Sequence, residues 1–211
     1  MSDTPNAIAQ RLNVLLTAAR LEPLDTQTAN RFGEYVSLLL RWNARMNLTA
    51  VRDEDGILSV HIIESIVVAK NIPAKINTLL DFGSGAGLPG IPIALCRPEM
   101  AVTLAESQSK KAAFLQEAVR VLGLSARVHA GRAETLAGKF DCVTLRAVDR
   151  MAEAVAAAAK LVRPDGWLAL LTTSGDSEGL KQAAGAEISS WDLVRLPSGA
   201  ERILLLGKLS S

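Results

Sequence analysis

The residues with chemistry to offer gather around one run, TLLDFGSGAGLPGIP (78–92), where Asp81, Gly83, Gly85 and Gly87 stand at alternate positions. Leu79–Leu80 lead in, and Leu88 with Pro89 and Pro92 leads out, an order that reads as strand, tight turn, helix. Alternate glycines let a backbone take positive φ and come close to a ligand. A helix N-terminus beyond such a turn presents free N–H groups and a partial positive charge. Pro89 suits the first helical turn, where its missing N–H is no loss. A second acid, Glu106, closes the next apolar alternation, Val102 and Leu104. It falls about 20 residues past the glycines, where a carboxylate at a strand end can accept both hydroxyls of a ribose. The pattern D-x-G-x-G-x-G is not the dinucleotide fingerprint G-x-G-x-x-G, because its third glycine, counted from Gly83, would fall on Leu88. An adenosyl ligand fits this spacing; a plain βα turn beside a solvated acid is the alternative.

Composition narrows the classes. The 211 residues carry 49% hydrophobic and 21% charged side chains, as in an ordinary globular α/β chain. A net charge of +1 neither demands nor excludes RNA, so any basic surface must come from local grouping. The start, MSDTPNAIAQ, has no basic stretch followed by an apolar one. No apolar run approaches the roughly 20 residues that span a bilayer. A cytoplasmic protein without a membrane partner is expected. Cys96 and Cys142 sit among apolar residues as reduced thiols. His61 and His129 lie far apart, and no metal-ligand spacing is seen.

The elements that must position these residues can be read from periodicity. Ile8, Leu12, Leu15, Leu16 and Ala19 mark an amphipathic helix over 5–20. Asp25 or Thr26 caps a second with Phe32, Tyr35, Val36, Leu39 and Leu40 on its apolar face. Asp53 caps a third carrying Ile57, Val60, Ile63 and Val67. These form an expected helical extension, 1–72, that ends near Pro73. From 73 to 211 strands are expected at 78–82, 101–105, 126–130, 140–145, 167–172, 188–196 and 201–209. Helices fall between them near 89–96, 108–122, 150–162 and 177–185. Alternation of this kind makes a parallel sheet with helices on both faces. The last two strands flank Pro197–Ala200 as a hairpin. The expected fold is therefore α/β, a mostly parallel seven-stranded sheet with a final antiparallel hairpin.

D-x-G-x-G-x-G resembles motif I of the class I (Rossmann-like) S-adenosylmethionine-dependent methyltransferases. Four stretches are similar to one family among them, the bacterial small-subunit ribosomal RNA methyltransferase G family: WNARMNLTAVRDED (42–55), HIIES (61–65), DFGSGAGLPGIPIA (81–94) with AESQSKKAAFLQE (105–117), and FDCVTLRAV (140–148). The resemblance covers about residues 35–170. It implies methyl transfer from S-adenosylmethionine to N7 of a guanine in the 530 loop of 16S rRNA. The partner would be that RNA, the small subunit or an assembly intermediate, and the enzyme a monomer. A methyltransferase for small molecules or proteins, a nucleotide-dependent oxidoreductase and a non-catalytic RNA-binding module are the other readings. Two departures stand out: Glu64 where the family usually has Asp, and Thr172–Gly175 where a Lys-Gly pair is common.

By the same resemblance Gly83, Ser84 and Leu88 line the cofactor pocket, Gly85 and Gly87 shape its turn, and Glu106 with Ser107 holds the ribose. The loop at Ala133 and Glu134 covers the adenine, with a first-turn helix acid favoured by the dipole as the alternative for Glu134. Asp81 either sits near the methionine end or holds the turn by accepting backbone N–H groups. Arg146 is the catalytic candidate, because neither an Asn- or Asp-Pro-Pro clamp nor a cysteine nucleophile stands at the fourth strand's end. Its fork could take the cofactor carboxylate, a phosphate or guanine O6, or make a structural ion pair. Lys110, Lys111, Arg45, Arg52, Arg97 and Arg150 are candidates for phosphate pairing. His61 reads as a satisfied core or packing histidine rather than a base. Asn43 and Asn47 could read a flipped base or end the helix, the structural role being favoured for Asn43.

Overall fold

A computed structural model describes residues 4–210. Residues 1–3 of the expected helical extension and Ser211 at the end of the expected second region lie outside the described residues. Helix α1 (Pro5–Ala18) is capped by Thr4, and α2 (Thr26–Met46) by Asp25, whose side chain accepts the Thr28 N–H. Such caps supply acceptors for N–H groups the helix itself leaves open. The buried residues of α2, among them Ala29, Phe32, Val36 and Leu39, recur at helical spacing. At Gly33 a Cβ would lie 2.0 Å from the Pro5 carbonyl oxygen, so α1 enters at glycine contact. Asp53 caps a short α3 (Glu54–Gly56), as expected. The chain beyond α3 is not one regular helix: Ile57–Ile62 is π-helical before α4 (Ile63–Asn71).

The remaining elements alternate as read: β1 (Thr78–Phe82), α5 (Gly90–Cys96), β2 (Ala101–Ala105), α6 (Ser109–Val121), β3 (Arg127–His129), a 3-10 turn (Ala133–Thr135), β4 (Phe140–Arg146), α7 (Met151–Ala159), β5 (Val162–Thr173), α8 (Ser177–Ala184), β6 (Ile188–Arg195) and β7 (Arg202–Leu209). Pro89 precedes α5 rather than opening it, after a cis Leu88–Pro89 peptide. β5 starts earlier than its apolar run suggests. Val162 pairs with Phe140 ahead of the bulge, so polar residues join the strand.

The sheet order is β3-β2-β1-β4-β5-β7-β6, parallel through β5, with β7 antiparallel to β5 and β6 to β7. Neighbouring strand residues face opposite sides of the sheet. Leu79, Leu104, Cys142 and Leu171 join the helical side with Ile8, Phe32, Tyr35 and Ile66. Leu80, Phe82, Val143 and Leu170 join Val155 and Leu180 on the other. Both faces are thus covered, which is why these strands read as near-continuous apolar runs. No helix among the described residues is long and apolar enough to cross a membrane.

Candidate functional site

The chain reverses its direction of strand addition between β1 and β4, the switch point where open α/β sheets bind ligands. Register aligns Phe82 with Ala105 on one side and with Leu145 on the other. Gly83, Glu106 and Arg146 therefore leave the sheet side by side, at the mouth of a cavity of about 890 Å3.

One half of the cavity is built by the glycine turn. Gly83, Ser84, Gly85, Leu88, Glu106, Ser107, Ala133 and Glu134 line it. Gly85 has φ +55°, and a Cβ there would meet nothing nearer than the Gly83 oxygen at 3.9 Å. The turn is set from the β2 side: Glu106, 6% exposed, accepts the Gly85 N–H at 2.9 Å and the Gln108 N–H at 2.7 Å. Each carboxylate oxygen keeps a second lone pair for a further donor. From the other side, the buried Tyr35 hydroxyl donates to the Ala86 carbonyl at 2.6 Å and ties α2 to the turn.

Asp81 and Gly87 lie off the cavity wall. Asp81 is buried behind the turn, accepting the Gly90 N–H at 3.1 Å and the Thr144 hydroxyl at 3.0 Å. Of its two expected roles, holding the turn is the one this geometry favours. Burial pushes its carboxyl up to about 6 against the pull of those donors. Gly87 packs instead of lining, since a Cβ there would sit 2.4 Å from Ile91 Cδ1.

The other half is a buried polar cluster from four separate segments. Glu64, 0% exposed on α4, accepts both arms of Arg202 from β7 at 3.0 and 2.9 Å. It also accepts the Ser198 hydroxyl of the β6–β7 turn and pairs with Arg146 Nη2 at 3.0 Å. Burial pushes the Glu64 carboxyl up, but Arg202, Arg146 and Ser198 pull it further down, below its ordinary range. Arg146, its side chain 7% exposed, also donates from Nη2 to the Val60 carbonyl at 3.2 Å and to His61 Nδ1 at 2.7 Å. A guanidinium cannot accept, so Nδ1 is the acceptor and the His61 proton sits on Nε2. That nitrogen is 2.7 Å from the Thr49 hydroxyl. Burial and the Arg146 charge lower His61 to about 4, so it is neutral at pH 7. Arg146 Nη1 is buried without any acceptor.

Several expectations change here. His61 is satisfied at both ring nitrogens, and it also lines the cavity and orients Arg146. Arg146 makes the structural ion pair and lines the cavity as well. Arg97 bonds Glu99 and the carbonyls of Ile72 and Ala74, away from the cavity. Lys111 and Arg150 line it, joined by Arg132 and Arg202, which sequence reasoning passed over. Asn43 is buried and braces the next loop, donating to the Val51 carbonyl and accepting the Thr49 N–H. None of Thr172–Gly175 lines the cavity. Glu64, Ser198 and Thr49 were missed as site residues; the unusual charge at Glu64 amid Ile62, Ile63 and Ile66 was the available signal.

Known proteins share this fold. A methyltransferase from Pyrococcus furiosus superposes with a TM-score of 0.61 at 15% identity, over 87% of this chain and 100% of that one. A 16S rRNA methyltransferase from Thermus thermophilus, solved with AdoMet and guanosine, gives 0.53 at 20% identity over 70% and 39%. At these identities the likeness shows the fold, that of Rossmann-like methyltransferases. A ribosomal RNA small subunit methyltransferase G from Xanthomonas campestris is 42% identical over 157 residues, 73% of each chain. Residues 28–202 match the family described as rRNA small subunit methyltransferase G (GidB). The chain belongs to that family.

Proposed function

We infer that this protein transfers a methyl group from S-adenosylmethionine to N7 of a guanine in the 530 loop of 16S rRNA. The observation that carries the reading is the two-part cavity: a glycine turn braced by Glu106 beside a buried arginine, with no cysteine on its wall. Its size, about 890 Å3, lies near the top of the range for a single small ligand, leaving room for a base beside a cofactor. Gly83, Gly85 and Leu88 would hold the cofactor's body, Glu106 its ribose and Ala133–Glu134 its adenine. When bound, S-adenosylmethionine supplies an electrophilic methyl group on a sulfonium. Lys111, Arg132 and Arg150 at the wall suit RNA phosphates better than a neutral small molecule.

Guanine N7 carries a free lone pair and no proton. As that pair forms the new nitrogen–carbon bond, the carbon–sulfur bond breaks and its electrons return to sulfur. No base is required, and the cavity's imidazole is not free to be one: both nitrogens of His61 are engaged. Cys142 is buried within β4, and burial raises its thiol far above the ordinary range, so it is no nucleophile. The protein's task is to bring out the base, exclude water and align N7 with the methyl group.

The test offers naked 16S rRNA, an assembly intermediate and the finished small subunit with labelled cofactor, and maps the methyl by cleavage at 7-methylguanine. Label at a different atom, or on none of the three, would sink the reading.

A further inference from the structure

We propose that Arg202 binds a backbone phosphate of the RNA strand next to the target nucleotide, with one edge of its guanidinium clamped on Glu64 and the other left for the phosphate. This rests on the reading of the substrate as RNA. Glu64 is fully buried, and its acceptor capacity is used up. Oε1 accepts the Ser198 hydroxyl and Arg202 Nε, the latter at 3.0 Å. Oε2 accepts Arg202 Nη2 at 2.9 Å and pairs with Arg146 Nη2 at 3.0 Å. A carboxylate offers about four lone-pair sites, and four donors meet them here. One negative charge thus serves two guanidiniums. Among the described residues neither arginine has a second carboxylate within ion-pair distance, so the cluster keeps one surplus positive charge.

Arg202 is where that surplus can be reached. It lines the cavity, and its side chain is 30% exposed against 7% for Arg146. Nε and Nη2 turn one edge of the fork to Glu64, and Nη1 bonds no described residue. The buried side-chain donors without a partner among the described residues are Arg146 Nη1 and Trp167 Nε1. Arg202 Nη1, equally unpartnered, is therefore open to solvent. Together with the second hydrogen of Nη2 it presents two parallel N–H groups, which match two oxygens of one phosphate.

Position favours the RNA over the cofactor. From β1, which leads into the glycine turn, the sheet runs β4, β5, β7, while Glu106 lies the other way, after β2. At about 4.8 Å per step β7 stands about 14 Å from β1, beyond Arg146 and away from the ribose side. Lys111 and Arg132 line the cavity from the opposite flank, around β2 and β3. A backbone held at both flanks keeps the nucleotide between them over the cavity, where its base can be drawn in.

The experiment places a neutral methylphosphonate at each linkage flanking the target guanine in turn, in 16S rRNA ligated around a synthetic segment. RNA affinity is measured for full-length wild type and for Arg202→Gln, which leaves Glu64 with Arg146 and Ser198. One linkage should cost wild type about tenfold and the variant less than about twofold, because a side chain and its phosphate are not lost twice. S-adenosylmethionine affinity by calorimetry should stay within about twofold. Should Arg202→Gln not fold, Arg202→Lys keeps a charge on Glu64 without the fork, and the same linkage should cost it less than about threefold.

A wild type indifferent to every flanking linkage overturns the proposal, and this arm needs no variant to fold. So do equal losses in wild type and variant at every linkage, the additive result expected of a merely structural arginine. A variant that binds S-adenosylmethionine about tenfold more weakly with the phosphate effect intact gives Nη1 to the cofactor carboxylate, and overturns it too. Wild type that places no methyl on unmodified 16S rRNA defeats the functional reading itself, and is told apart because no linkage has been altered.

Discussion

Gly85 takes φ +55° with open cavity where its Cβ would be. The Cβ of Gly85→Val comes no nearer than 3.9 Å to another protein atom, but a β-branched residue in that conformation costs about 1–2 kcal/mol and its methyls extend toward ligand space. S-adenosylmethionine affinity by calorimetry should fall by more than about tenfold with native circular dichroism; a folded variant with normal affinity takes this turn out of the site. Glu106→Gln keeps the size but sets an amide donor against a backbone donor, Gly85 or Gln108 N–H. Hydrogen bonds to a charged group are worth about 1.5–3 kcal/mol, so cofactor affinity should weaken about tenfold to a hundredfold. An unchanged dissociation constant would place the ribose elsewhere. His61 and Asp81 make opposite contributions to stability against pH. Folding lowers His61 from 6.5 to about 4, so its stabilisation is present above pH 6.5 and lost between 6.5 and 4. Folding raises Asp81 from 3.8 to about 6, so its share is present below pH 3.8 and lost as pH rises to 6. His61→Asn removes one slope. The stability gap from wild type should shrink by about 2–3 kcal/mol between pH 7 and pH 4 in urea titrations. A constant gap would mean that His61 titrates as in water.

Among the elements, the π-helical stretch Ile57–Ile62 decides most. A π turn inserts a residue into helical register and recurs at functional sites. Here it gives Arg146 both the Val60 carbonyl and His61 Nδ1. Helix α4, directly after it, carries Glu64 against the β6–β7 hairpin. Removing one partner of a buried ion cluster leaves the others unbalanced, at a cost of about 3–5 kcal/mol, whereas exposed pairs contribute about 0–1 kcal/mol. Glu64→Gln should thus destabilise by several kcal/mol in denaturant unfolding. Asp55→Asn, which breaks the half-exposed pair with Arg11, should stay within about 0.5 kcal/mol. Equal effects would show that the Glu64 cluster is not closed in solution.

At the scale of the molecule, the sheet presents its switch point to a cavity roofed by loops from distant segments, while helices cover both faces. The consequence is chemical isolation. Asp81, the carboxyl raised to about 6, is walled off behind the turn, and His61 is neutral with both nitrogens bonded. Single-turnover methylation should therefore show no ascending limb between pH 6 and 9. A rate climbing tenfold per pH unit would require a titrating base and a different mechanism.

The sequence by itself determined the order of elements, because apolar period and turn residues are local and survive any packing. Strand ends at Phe82 and Ala105, the cap at Asp25 and the glycine turn were legible for that reason. It also narrowed the chemistry, since D-x-G-x-G-x-G departs from the dinucleotide fingerprint at Leu88 while Glu106 fits any adenosyl ligand. Tertiary structure decided which buried polar groups meet. Glu64, Arg146, Ser198 and Arg202 come from α4, β4, the hairpin turn and β7, and no local period records that they converge. His61 was legible as a satisfied histidine but not as a cavity residue, because the π turn shifts its register from regular helical spacing. Asp81's direction was open for a related reason. A strand alternates its faces, but only the crossing of α5 behind β1 supplies the Gly90 N–H that holds the carboxylate there.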